Sequence, residues 1–301
     1  MAESRGFMTY LNGRVMPHAE AVTELQREGM QSAGGFYDHE RTFNGRIFKL
    51  RQHLERMYNG LTYSKIDPGV SLDEMETISG DILDANLPLL SPSDEFELTQ
   101  VVSVRPNESP NESPRVNVMV YCQPLDVRSF AWSYVKGARV VTPPTYGLTS
   151  QDSQSGAAHE RQKVLPLMTK PEGTITECQG GNLMFVHDGR IKLPDRRNVL
   201  PGVSMATVLE LAEVLDIAVD EGDYSLYEVY SASEVFVSAT TYCVLPVDTV
   251  NGYRMGDQLP GSVTGRIMEA WRQMVGMDFV QKALDRLPPG DQSAVSDPVG
   301  R

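Results

Sequence analysis

T-I-T-E-C-Q-G-G-N-L-M-F-V, residues 174–186, runs into the turn His187-Asp188-Gly189-Arg190. Its two halves differ in kind. Leu183-Met184-Phe185-Val186 is a short apolar run closed by Asp-Gly, the pattern of a buried strand followed by a hairpin turn. Ahead of it stand Glu177, Cys178, Gln179, Gly180, Gly181 and Asn182. An acid followed by small residues at the mouth of a buried strand lets the backbone approach a ligand and sets a carboxylate beside it. An ordinary loop with a surface Glu would read the same way, so the rest of the chain has to decide.

With 301 residues the chain has room for two domains of ordinary size. No apolar run approaches a membrane span, and residues 1–5 lack the apolar core of a signal peptide. Cys122, Cys178 and Cys243 are few and far apart, which fits neither a disulfide framework nor a metal cluster. A reducing, cytoplasmic setting is expected. The net charge of -13 argues against nucleic acids and anionic membranes as partners. It leaves room for a small anion in a local pocket.

Outward from the opening stretch, Asn12-Gly13 and Asn44-Gly45 each sit between strand-like runs and predict hairpins, with a returning strand at 46–50. Leu54, Met57, Tyr58 and Leu61 recur at helical spacing over 51–63. His53 and Arg56 share one side of that helix, either as a solvated face or as a ligand pair. Ser71 caps a second helix to about residue 85, and strands are expected at 97–104 and 116–121. Residues 105–115 hold N-E-S-P twice, and a polar, mobile loop is expected there. Further on, a strand at 138–142 and a polar loop at 145–156 precede a helix expected at 157–168. Ser204 is expected to cap a helix over 205–215, whose free N-terminal amides would suit an anion. A buried strand over 234–238 ends in Ala239-Thr240-Thr241, a second anion-friendly turn. Gly261-Ser262-Val263-Thr264 begins the last expected helix.

Together these segments resemble the class IV aminotransferases, the fold-type-IV pyridoxal-phosphate proteins. That group includes branched-chain and D-amino-acid aminotransferases, (R)-amine transaminases and aminodeoxychorismate lyase. Five motifs carry the likeness in register: F-x-L-x-x-H-L-x-R at 48–56, T-E-x-x-x-x-N at 176–182, L-x-G-V-S at 200–204, E-V-F-V-S-A-T-T at 234–241 and G-S-V-T at 261–264. Tyr37-Asp38 looks most like the (R)-amine transaminase branch. The resemblance implies a mixed α/β, two-domain D-amino-acid aminotransferase-like fold. Residues 1–122 would form the N-terminal domain, 123–132 the connection, 133–286 the cofactor-bearing C-terminal domain and 287–301 a loose tail. It implies pyridoxal 5'-phosphate as cofactor, a homodimer, and small amines, amino acids or keto acids as partners. Glu177 would face the pyridine nitrogen. Arg56, the amides of Val203 and Ser204, and Thr240 and Thr241 would bind the phosphate. Tyr37 and Arg105 would touch substrate.

One part of the pattern is absent. The family's cofactor-bearing lysine falls near Asp152, and no lysine occurs between Lys136 and Lys163. Lys163 is the one lysine in a suitable neighbourhood, on a helix expected too close to Glu177. Three readings follow. The chain is a transaminase that recruits Lys163 or uses free cofactor; or a lysine-less relative that binds a phosphate-bearing or other small ligand; or it does different acid–base chemistry with Asp152, His159 or Cys178.

Overall fold

The computed structural model describes residues 6–27, 35–91, 94–105, 115–143 and 161–296. The chain divides into two compact units, Met1–Leu125 and Asp126–Arg301. In the first, β1 (Met8–Leu11) and β2 (Arg14–Pro17) form a hairpin. Asn12 and Gly13, at φ 48° and 86°, make the type I′ turn the sequence signals. Helix α1 (His18–Arg27) follows, then β3 (Gly35–Phe43) and β4 (Arg46–Ile47). The returning strand expected at 46–50 ends early: Lys49 turns left-handed at φ 52° and α2 (Leu50–Tyr63) begins. Ser71 and Glu74 close a capping box on α3 (Leu72–Asn86). β5 (Phe96–Arg105) and β6 (Arg115–Pro124) complete an antiparallel sheet ordered β2-β1-β6-β5-β3-β4.

Apolar stripes of α2 and α3, including Leu54, Met57, Leu61, Met75 and Ile82, cover one face of this sheet against Phe96, Leu98, Val102, Val118 and Val120. Side chains alternate along a strand, so Phe36, Asp38 and Glu40 share the face of β3 that meets those helices. Two acids are thereby carried into an apolar core.

The second unit opens with α4 (Ala131–Lys136) and β7 (Ala138–Val141). Residues 123–132, expected as the connection, are shared out: β6 runs to Pro124 and α4 starts at Ala131. The helix expected at 157–168 is not found in its described part. Instead β8 (Val164–Thr169) is a strand, with Leu165 and Leu167 buried at period two. Pro166 would break a helix interior, and the alternation decides for strand. β9 (Ile175–Cys178), β10 (Asn182–His187) and β11 (Arg190–Pro194) follow, then α5 (Val203–Val214), β12 (Val219–Gly222) and α6 (Leu226–Tyr230). β13 (Glu234–Ala239), β14 (Cys243–Val250), β15 (Tyr253–Arg254) and α7 (Ser262–Val275) come next.

The sheet runs β12-β11-β10-β13-β14-β7-β8-β9, with β15 on β14; the β11–β12, β14–β7 and β7–β8 pairs are parallel. α7 is not the last helix. α8 (Phe279–Leu284) follows, and α9 (Pro289–Ser296) occupies part of the segment expected as a loose tail. A proline at the first helical position starts α9, and Val295 is buried.

Candidate functional site

The opening stretch folds so that its acid and its amide meet. The Gly181 N–H donates to the Cys178 carbonyl at 3.0 Å, a tight turn that brings Asn182 back beside Glu177. Glu177 Oε2 accepts from Asn182 Nδ2 at 3.1 Å and from the Leu200 N–H at 2.9 Å. Asn182 Nδ2 also donates to the Leu200 carbonyl at 3.0 Å. Asn182 therefore ties the carboxylate to the segment that leads into α5. The spacing T-E-x-x-x-x-N marked this residue, but sequence reasoning gave it no role. Glu177 is half-buried, and that burial pushes its carboxyl above the usual range, partly offset by the Leu200 N–H.

Two glycines make this packing possible. A Cβ on Gly181 would fall 2.4 Å from Tyr242 Oη, and one on Gly202 2.1 Å from Asn182 Oδ1. The second contact corrects the expected helix start. Gly202, not Ser204, is the N-cap of α5, because only a residue without Cβ clears Asn182 there. Ser204 is the second helical residue and is buried. Among the described residues no side chain caps α5, which offers its first-turn amides, Val203 and Ser204 among them, as donors. Asn182 pairs with Ser238 of β13, which places Thr240 and Thr241 at the same end of the sheet. Ser238 Oγ and Tyr242 Oη are buried there without a hydrogen-bond partner among the described residues.

α7 also starts after a glycine, Gly261, yet its N-terminus is filled. Buried Glu234 accepts from the Val263 N–H at 2.9 Å, the Thr264 N–H at 2.8 Å and Thr264 Oγ1 at 2.7 Å.

Lys163 does not lie on a helix. It stands just before β8, with its N–H donating to Ser133 Oγ at 2.8 Å and its Nζ 4.8 Å from the centre of the Phe130 ring. It lines a cavity of about 340 Å³ with Arg128, Trp132 and Arg161, whose lining includes neither Glu177 nor the start of α5. Cys178 is 1% exposed, and burial, with the charge of Glu177 beside it, pushes its thiol up. Asp152 and His159 lie outside the described residues.

In the N-terminal unit, α2 presents His53 and Arg56 to the helix-covered face of β3. Arg56 Nε donates to Asp38 Oδ2 at 2.9 Å, and Arg56 Nη2 donates to Asp38 Oδ1. His53 Nδ1 lies 2.9 Å from Asp38 Oδ1. The sequence alone named Arg56 but missed what orients it, although the alternation of β3 puts Asp38 on the face that meets the helix. Tyr37 points away, 70% exposed and stacked on His39. Arg105 ends β5, in register with Arg115.

A family model described as amino-transferase class IV matches residues 35–250. A D-alanine aminotransferase from Listeria monocytogenes serotype 4b (strain F2365) is 23% identical over 271 residues, covering 85% of this chain and 92% of that protein. Among solved structures, the branched-chain aminotransferase of Thermoproteus uzoniensis, determined with norvaline, aligns at a TM-score of 0.72 with 20% identity, over 94% of this chain and 99% of its own. The T.th. branched-chain amino acid aminotransferase with pyridoxamine 5'-phosphate aligns at 0.75 with 20% identity, over 90% and 94%.

Proposed function

The chain belongs to the class IV aminotransferase family, and on that premise we propose that it holds pyridoxal 5'-phosphate by polar contacts alone and acts on small amines, amino acids or keto acids. Supporting this is the fit of the C-terminal unit to the two polar ends of such a molecule. The uncapped amides of Val203 and Ser204, with Thr240 and Thr241, suit a phosphate. Glu177 suits a protonated ring nitrogen: Oε2 is committed to Asn182 and Leu200, which leaves Oε1 for a ligand donor. Arg56 is the proposed phosphate contact of the N-terminal unit, and Tyr37 and Arg105 its proposed substrate contacts. When bound, the cofactor supplies an electron sink for a carbanion at the amine-bearing carbon. Glu177 keeps a proton at the ring nitrogen so that this sink is effective, and Asn182 keeps Glu177 in place.

The misfit is the amine. Lys163 lies over Phe130, and the position where the family carries its lysine falls at Asp152. An aspartate can accept a proton but cannot bond covalently to the cofactor aldehyde. The proposal is therefore non-covalent retention, with transamination weak or absent for ordinary amino donors. Glu177, half-buried and with only Oε2 hydrogen-bonded among the described residues, is the observation that carries the cofactor reading. The test is a visible spectrum before and after cofactor addition, then borohydride reduction and mass spectrometry of the digest. A cofactor-dependent band with all seven lysines unmodified is expected. A phosphopyridoxyl group on Lys163 would restore an ordinary transaminase, and no band at all would remove the cofactor. The same reading includes a homodimer, checked by light scattering at micromolar concentration. It also includes a cytoplasmic setting, in keeping with three buried cysteines outside any disulfide. Among the described residues no helix is long and apolar enough to cross a membrane.

A further inference from the structure

The helix-covered core of the N-terminal unit holds charge that its size does not require. Asp38 and Glu40, two apart on β3, are 3% and 0% exposed, and His53 is 2% exposed. Asp38 has partners for both oxygens in Arg56, and for one of them in His53. Glu40 is served on one side only. Its Oε2 accepts from Gln100 Nε2 at 3.0 Å, and the same nitrogen donates to Ser79 Oγ at 3.1 Å. Glu40 Oε1 has no hydrogen-bond partner among the described residues, and the ring nitrogen facing it, His53 Nδ1, is 3.9 Å away.

Ligand atoms of Asp38, Glu40 and His53 lie within 4.8 Å of one another, the spacing of a metal site. A cation already stands there: Arg56 Nη2 lies on Asp38 Oδ1 and 3.3 Å from His53 Nδ1. A divalent ion would have to displace a guanidinium from its own counter-ion, so a metal is disfavoured. A proton is the smaller guest. Gln100 Oε1 is also unpartnered among the described residues. Turning that amide end for end would put an acceptor where Nε2 now donates, 3.0 Å from Glu40 Oε2. The pair therefore has one arrangement in which the amide donates to ionised Glu40 and another in which it accepts from the acid.

We propose that Asp38 and Glu40 are positioning residues for Arg56: Asp38 fixes the guanidinium, and the proton on Glu40 sets how strongly that guanidinium attracts an anion. This rests on the reading of Arg56 as the phosphate contact. With Glu40 neutral, the cluster holds one negative charge, on Asp38, and one positive charge, on Arg56. When Glu40 ionises, a second buried negative charge acts on the same guanidinium and weakens its pull on an anion. The groups facing Glu40 are Asp38 on its own strand, His53 and Arg56 from α2, and the Cys122 thiol of β6, itself pushed up to about 12 by burial. Burial first, then Asp38, holds the Glu40 carboxyl well above the usual range. Anion affinity then falls as pH rises through the Glu40 titration. Of the four charged or titratable members that meet at Asp38, Arg56 has the most exposed side chain, at 19%, which suits it to the contact with the anion.

The experiment compares the full chain with Glu40→Gln, which keeps shape and stays neutral. Melting temperature is followed from pH 5 to pH 9 without ligand. The wild type should lose stability relative to Glu40→Gln as pH rises, because the folded state holds a proton that the unfolded state releases. Parallel curves would overturn the proton on Glu40. Pyridoxal 5'-phosphate is then titrated by calorimetry over the same range. Its affinity for the wild type should fall by about tenfold relative to Glu40→Gln at the alkaline end, the size of one unit of coupled titration. Asp38→Asn should weaken binding at every pH, and Arg56→Lys should bind weakly and lose the difference that Glu40→Gln reveals, since an ammonium cannot be held by two oxygens as a planar fork is. Binding that is pH-parallel in wild type and Glu40→Gln sinks this inference alone. Absence of binding to the wild type at any pH sinks the Arg56 reading beneath it, and with it the anion coupling.

Discussion

Two helices of the C-terminal unit begin in the same way and end differently. α5 and α7 each follow a glycine N-cap in extended conformation, and each lacks a capping side chain of its own. At α7 the carboxylate of Glu234 fills the amide cradle with three hydrogen bonds. At α5 the neighbouring carboxylate, Glu177, is turned aside: it bonds Asn182 and the Leu200 N–H, upstream of the helix. A helix N-terminus is an anion site whether or not the chain supplies the anion. The difference separates structure from function. The chain closes one cradle with its own acid, while at the other, which the proposed function gives to a ligand, Asn182 and the Leu200 N–H hold Glu177.

The strongest way to break this comparison is to empty the closed cradle. Glu234→Gln keeps the outline but turns an amide against N–H donors that need an acceptor. It should destabilise the unit by on the order of 3 kcal/mol, since both a cap and charged hydrogen bonds are lost. The shift in urea midpoint measures it. A loss below about 0.5 kcal/mol, the level of an ordinary surface change, would mean that the two cradles do not differ as described.

The open cradle is sharpened by a change that removes a donor and leaves the helix. Proline is accepted at the first position of a helix when the residue before it is extended, and Gly202 has φ −66° and ψ 132°. Val203→Pro should cost about 1–2 kcal/mol of stability through the lost apolar contact of a buried Val. Its larger signature should be in binding, where one hydrogen bond to a charged group is worth about 1.5–3 kcal/mol. Calorimetry with pyridoxal 5'-phosphate reads it. Undiminished affinity would show that the α5 amides do not hold the phosphate.

How much of this is legible in sequence depends on the range of the signal. The hairpins at Asn12-Gly13 and Asn44-Gly45, the capping box at Ser71 and the amphipathic face of α2 are local chemistry, and they stand where the spacing puts them. β8 reads as helix in the sequence because its Val164–Thr169 run is apolar and short, and its neighbours outweigh Pro166 in that reading. The cap of α5 falls on the wrong residue because Ser204 has the better side chain, while the close approach of Asn182 to Gly202 is a tertiary fact. The acids at Asp38 and Glu40 could have been found from the alternation of β3. Helical spacing sets His53 and Arg56 on one side of α2, but that they meet Asp38, and that Gln100 meets Glu40, requires the fold. Motifs in register name Glu177, Val203 and Thr240, whereas the tie from Asn182 to Glu177 and Leu200 requires the fold.

The smallest effect concerns Glu177 itself and tests whether the open cradle and the held-back acid belong together. Burial raises its carboxyl above the ordinary glutamate range, with the Leu200 N–H opposing. A raised acid binds its proton more tightly in the folded state, so its contribution to stability is largest below the unfolded value. It is lost as pH climbs through the raised folded one. Without ligand, the wild type should therefore lose a little melting temperature across that window relative to Glu177→Gln; the slope is shallow because the group is only half-buried. A ligand that offers a protonated nitrogen to Oε1 favours the ionised carboxylate and should cancel that slope. Pyridoxal 5'-phosphate should thus flatten the wild-type curve and leave that of Glu177→Gln where it was. If the cofactor raises both curves equally at every pH, it is held at the α5 amides without meeting Glu177. The two halves of the cradle would then serve different ligands.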